Sequence, residues 1–320
     1  MLVIFLLALS SLFAYEGFSE HHDAATYSPP GVLYQVEGRA MHLYCTGEGA
    51  PTVILDSGIG SAALGWGLVQ PEVAKVTRVC SYDRAGYGWS DPGPLPRTSD
   101  RIVDELHTLL TTAGITGPLL LVGHSFGGYN MQVYAHRYPQ EAAGMVLVDS
   151  AHEWQAELFG KADTLILWWV KMGQVSAQLG LARLLEVPSG SVNNLPDSVK
   201  APAMAQGVRP QAYATLHDEL ESFQESGRQA GEVVSLGDMP LVVIMQGNRS
   251  NHPNVLDPMP ARFMGEWRRL QGELAKKSSR GVLVEGDGVG HLIPQERPDM
   301  VIDAIVDVLE QYRRRLASAH

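Results

Sequence analysis

Short apolar runs recur along this chain and alternate with stretches whose apolar residues return every three or four positions. The runs TVILDSG (52–58), TRVCSYDR (77–84), LLLVGHS (119–125), GMVLVDS (144–150), LVVIMQG (241–247) and GVLVEGDG (281–288) predict strands. Between them, Ser99 or Asp100 can cap a helix carrying Ile102, Leu106, Leu109 and Ala113 at helical spacing. Trp267, Leu270 and Leu274 make another apolar stripe, and Pro298 opens a last helix with Val301, Ile305, Val308 and Tyr312 on one face. These stripes are expected to be core. Strands alternating with helices predict βαβ units and a mainly parallel sheet. Ahead of them VLYQVEG and RAMHLYCTG form a hairpin at Glu37-Gly38-Arg39. Between Ala151 and Gly237 the alternation stops, and that stretch reads as a mostly helical insertion following the sixth strand.

The chain start differs in kind. Met1 to Ala14, MLVIFLLALSSLFA, has no charged side chain. It is shorter than the roughly 20 residues an ordinary membrane span needs, and it suits a signal-peptide core or a short membrane anchor. No Lys or Arg precedes it, and Leu12 stands where an A-x-A cleavage site wants a small residue. Residues 15–32 are polar, include Pro29-Pro30-Gly31 and read as a linker. An exported or membrane-attached protein is expected, on the periplasmic or extracellular side. Cys45 and Cys80 are compatible with one disulfide in an oxidising compartment or with two buried thiols. A length of 320 residues suits one α/β domain, and 45% apolar with 18% charged residues reads as globular. The net charge of −11 speaks against a nucleic-acid partner. Arg313-Arg314-Arg315 closes the last helix, where cations complement the helix dipole.

Candidate chemistry centres on Gly123-His124-Ser125-Phe126-Gly127, a G-x-S-x-G between an apolar strand and an amphipathic helix. Small residues at 123 and 127 let the backbone pass through a strained turn that lifts the Ser125 hydroxyl off the sheet edge. A serine alcohol needs a base, and His291, in a Gly-rich loop between the last strand and the last helix, shares that edge. His124 is expected to point away. An acid should orient the imidazole. Asp149, at the end of the sixth strand, is preferred over Asp257 in the loop after the seventh, with Asp287 third. Oxyanion donors are expected from the Phe126 N–H and, after the third strand, the Ile59 N–H beside Gly58. The His21-His22-Asp23 run lacks the context of a metal site, and none is expected.

With these residues the chain resembles the α/β-hydrolase-fold serine hydrolases, in their lid-bearing, esterase-like branch. The motifs are Gly123 to Gly128, YDRAGYGWSDPG at 82–93 and GHLIPQERPDMVIDAI at 290–305. The resemblance implies an α/β fold with a mostly parallel eight-stranded sheet, helices on both faces and no cofactor. It divides the chain into a core at 33–151 and 237–320 and a helical lid at 152–236, inserted after strand 6. It also sets the second strand beside the fourth, bringing Cys45 and Cys80 together. The implied reaction is hydrolysis of a small apolar ester by Ser125, His291 and Asp149, with Ile59 and Phe126 binding the oxyanion. A carbon–carbon bond hydrolase, an aminopeptidase and a catalytically silent binding protein are the alternatives. Relatives with epoxide hydrolase or haloalkane dehalogenase activity use aspartate where this chain has Ser125. Many relatives have His-Gly where it has Ser57-Gly58, and many place their acid after the seventh strand. Leu158, Phe159, Leu165, Ile166, Leu167, Trp168 and Trp169 would line an acyl pocket or form lid core.

Overall fold

The computed structural model describes residues 1–155, 163–247 and 261–318. Successive side chains of a strand point to opposite faces, so each central strand feeds two cores. In β5 (Leu119–His124), Leu119 and Leu121 join one buried cluster, and Leu120 and Val122 join the other. The first cluster is closed by α3 (Ser99–Thr112), α4 (Gly127–Arg137) and Leu274 of α10 (Ala261–Lys276). The second is closed by α2 (Gln70–Val73) and by Val301, Ile305 and Val308 of α11 (Pro298–Ser318). The helical stripes read from the sequence are the surfaces that do this packing.

The remaining strands are β1 (Val32–Val36), β2 (Arg39–Thr46), β3 (Thr52–Asp56), β4 (Val79–Tyr82), β6 (Ala142–Val148), β7 (Leu241–Gln246) and β8 (Gly281–Gly286). They form one eight-stranded sheet in the order β1-β2-β4-β3-β5-β6-β7-β8. Only β2 runs against the others. This is the mostly parallel, doubly covered sheet that the sequence implies. The C-terminal ends of β3 to β8 therefore share one edge, where loops converge.

Between β6 and β7 the described residues form α5 (Asp163–Gln178), α6 (Leu181–Leu184), α7 (Asp197–Gly207), α8 (Pro210–Glu221) and α9 (Phe223–Gly231). Leu158 and Phe159 lie outside the described residues. Leu165, Ile166, Trp168 and Trp169 are all exposed, Trp169 at 63%, so they form neither pocket nor core. The reason is the packing of α5: Gly173 and Ala177 meet the Tyr213 region of α8, and the first turns face outward.

The N-terminal segment also departs from the sequence reading. Residues 15–26 are not a linker but the second half of α1 (Leu2–Thr26). Its acids explain the continuation: Glu16, only 3% exposed, and Asp23 both hold Arg183 of α6, and Glu20 reaches Arg209. Acids at this spacing share a helix face, and the insertion supplies their cations. By length and composition α1 could cross a membrane.

Cys45 and Cys80 are directly paired across β2 and β4 and form a disulfide. It closes a loop of 35 residues in sequence. We expect a Cys45→Ala/Cys80→Ala variant to lose about 3–4 kcal/mol in urea unfolding, from the constraint removed from the unfolded chain. An unchanged midpoint would contradict this.

Candidate active site

The turn after β5 is fixed by contacts that only glycine permits. A β-carbon on Gly123 would lie 2.5 Å from the Gly127 carbonyl oxygen, and one on Gly127 would lie 2.4 Å from that of Asp56. Between them Ser125 takes φ 53°, a left-handed conformation that L-residues rarely adopt. Its N–H donates to the Val148 carbonyl of β6, and its carbonyl accepts from Gly128 and Ala151. Both neighbouring elements thus hold the strained residue.

At the same sheet edge the structure brings Ser125, His291 and Asp149 into one hydrogen-bonded chain. Ser125 Oγ is 2.9 Å from His291 Nε2, and His291 Nδ1 is 2.6 Å from Asp149 Oδ2. A carboxylate only accepts, so Nδ1 carries the proton and Nε2 is left to accept from the serine hydroxyl. Asp149 is fully buried, and Oδ1 accepts from the Gln246 N–H at 2.9 Å and the Trp267 indole N–H at 2.8 Å. Three donors on one carboxylate compensate its burial. Asp149 too has a positive φ, of 40°. A hydroxyl bonded to an imidazole that a carboxylate orients is the arrangement that activates a serine. Asp257 lies outside the described residues.

Neither Ile59 N–H nor Phe126 N–H has an acceptor among the described residues, although Phe126 is fully buried. Gly58, next to Ile59, lies against the serine: a β-carbon there would be 3.2 Å from Ser125 Cβ. Beside these groups is a cavity of about 140 Å³ bounded by Ile59, Trp66, Ser191, Leu292 and Gln295, with Ser125 and His291 in its wall.

Several contacts at the site escaped sequence reasoning. Trp267 looked like plain core, yet its ring nitrogen holds Asp149. His124 does not point away: Nε2 is 2.8 Å from the His291 carbonyl, and the two rings lie 4.9 Å apart. The turn that raises Ser125 leaves the preceding side chain against the His291 loop. Arg84 and Glu219 pair beneath Gly58, and only Arg84 had a signal, in the motif at 82–93.

Burial, and secondarily the nearby His291, lower His124 to about 3. Native His124 is therefore neutral and donates Nε2–H, whereas the unfolded imidazole takes up a proton below about pH 6.5. Its contribution to stability is present above that pH and is lost as pH falls toward 3. We expect the wild-type urea midpoint to drop more between about pH 7 and pH 4.5 than that of His124→Gln. Buried His152, also lowered, acts equally in both proteins. Parallel drops would contradict the assignment.

Comparison with known proteins places the chain. The model of the alpha/beta hydrolase family matches residues 53–304. The uncharacterized protein YqjL of Bacillus subtilis (strain 168) is 24% identical over 86% of this chain and 90% of its own length. Another uncharacterized protein of that strain, YbdG, is 30% identical, but the match spans only 45% of each chain. Among solved structures, a thermophilic esterase from Thermogutta terrifontis superposes with a TM-score of 0.63 over 88% of this chain and 98% of its own, at 20% identity.

Proposed function

This chain belongs to the alpha/beta hydrolase family, and on that premise we propose that it is a serine hydrolase cleaving a carboxylic ester. The observation that carries the reading is the chain of hydrogen bonds from Ser125 through His291 to Asp149. Likeness to an esterase at 20% identity is a likeness of fold.

Ser125 Oγ attacks the ester carbonyl carbon while its proton passes to His291 Nε2. Asp149 holds the imidazole in the required tautomer and stabilises its cation. The carbonyl electrons move to oxygen, where the Phe126 and Ile59 amides, without an acceptor among the described residues, bind the oxyanion at the N-terminus of α4. Collapse breaks the bond to the alcohol, which leaves with the proton from His291, and the acyl group stays on Ser125. Water then attacks that acyl group, gives its proton to His291, and the acid departs as Ser125 recovers its hydrogen.

The cavity of about 140 Å³ is small beside the roughly 300–1,000 Å³ of sites for drug-sized ligands, which favours a compact acyl group. The insertion at 152–236 acts as a lid over the sheet edge, and Ser191 brings it to the cavity wall. The apolar half of α1 exports the chain or attaches it to a membrane.

A fluorophosphonate probe should label Ser125 once per chain, and His291→Ala should abolish that labelling. Asp149→Asn should lower kcat by about 10³–10⁴. p-Nitrophenyl acetate and butyrate should be cleaved far faster than the palmitate. A folded protein that resists the probe would refute the serine reading. Fractionation tests α1: full-length protein in the soluble cytoplasmic fraction would refute attachment and export.

A further inference from the structure

The motif at 82–93 places Arg84 beneath the loop that follows β3, and the mechanism above leaves this residue unused. Arg84 is 2% exposed, and acceptors surround its whole guanidinium. Nε and Nη2 donate to the two oxygens of Glu219, at 2.7 and 3.0 Å. Nη1 donates to Asp56 Oδ1 at 2.7 Å and to the Ser57 carbonyl at 2.6 Å, and Nη2 reaches the Gly58 carbonyl at 3.1 Å. All five N–H groups of an arginine are thereby used. Burial alone would depress this cation, but Glu219 and Asp56 hold it well above its ordinary value.

Two of those bonds orient peptide units. In a trans peptide the C=O and N–H point in opposite directions. With the Ser57 and Gly58 carbonyls turned to Arg84, the N–H groups of Gly58 and Ile59 are turned away from it. A second brace follows at once: the Gly60 N–H donates to Tyr87 Oη at 3.0 Å, and Tyr87 donates to Glu219 at 3.1 Å. Burial, with Glu219 adding to it, raises Tyr87 well above its ordinary range, so it stays a hydroxyl. Residues 57, 58 and 60 are thus pinned, and the amide of residue 59 has no acceptor among the described residues. The same guanidinium carbon lies 5.4 Å over the ring of Phe126, which bears the other oxyanion amide. Glu219 belongs to α8, in the insertion. Ser189 of the insertion touches the loop again, donating to the Gly60 carbonyl at 3.2 Å.

We propose that Arg84, held by Glu219, is a positioning residue through which the seated insertion sets the oxyanion-binding amides. This rests on the serine hydrolase reading above. A glutamine at 219 keeps the shape but presents an NH2 to donors, so one of its contacts with Arg84 or Tyr87 becomes donor against donor. Tyr87→Phe removes a single hydroxyl and leaves the ion pair.

The test uses full-length wild type, Glu219→Gln and Tyr87→Phe, each confirmed folded by near-UV circular dichroism. We expect kcat on p-nitrophenyl butyrate to fall about 10- to 100-fold in Glu219→Gln, with KM within about twofold. Affinity for a trifluoromethyl ketone, which mimics the tetrahedral adduct, should fall with kcat/KM. Tyr87→Phe should move the same quantities less, and if Glu219→Gln does not fold, Arg84→Lys, which keeps the charge but loses the fork of donors, should show the same fall in kcat and ketone affinity. An active wild type beside folded variants with unchanged kcat and ketone affinity overturns this inference and leaves the hydrolase reading standing. So does a loss confined to KM. A wild type that neither labels nor turns over ester overturns both.

Discussion

The close approach of three backbone segments at the turn after β5 is the constraint on which the site depends. Gly127 lies against the end of β3, and Gly123 lies against Gly127, with no space for a β-carbon at either position. That crowding holds Ser125 at a positive φ and sets the first turn of α4 beside the hydroxyl, with the Phe126 N–H that has no acceptor among the described residues. Because β3 is the strand approached, the loop it feeds is drawn to the same point. Serine, helix terminus and loop amides come together through one packing requirement, and the two cores on either side of the sheet hold the strain in place.

What could be read from the sequence follows from where the information sits. The central parallel strands β3, β5, β6 and β7 are apolar over nearly their whole length because both faces are covered, so they stand out without knowledge of the fold. Ser125 was legible because it adjoins such a strand, and His291 because its Gly-rich loop lies between the last strand and the last helix. Asp149 was legible because it stands at the C-terminal end of its own strand run, and its three hydrogen bonds now account for the burial of a charge there. By contrast, Arg84 and Glu219 are 135 residues apart, and nothing local to Glu219 marks it in an otherwise ordinary helix. The extension of α1 past Ala14 was missed for the same reason: its acids look like linker composition until Arg183 and Arg209 face them. The exposed Trp168 and Trp169 were misjudged because apolarity alone does not say which face of a helix is covered.

Charge is used in two ways in this molecule. On the outer surfaces of α9 and α10, Arg228 and Arg269 pair with acids one turn away, in exposed geometries that water and salt screen and that contribute little to stability. The Arg84 cluster is of another kind, with both acids and the base sealed from water. Such groups contribute little net stability when complete, yet are strongly destabilising when one member is lost. Their effect is to make one arrangement of the loop and the insertion far better than its neighbours.

Mechanically, the clasp between α1 and Arg183 gives the N-terminus a load path. A helix rises about 1.5 Å per residue, so Leu2 stands roughly 20 Å beyond the anchoring Glu16. The apolar end is a lever arm whose fulcrum lies on the insertion, away from the sheet. A pull on that end is borne first by the partly buried ion pairs at Arg183, and the insertion takes the strain before any strand does.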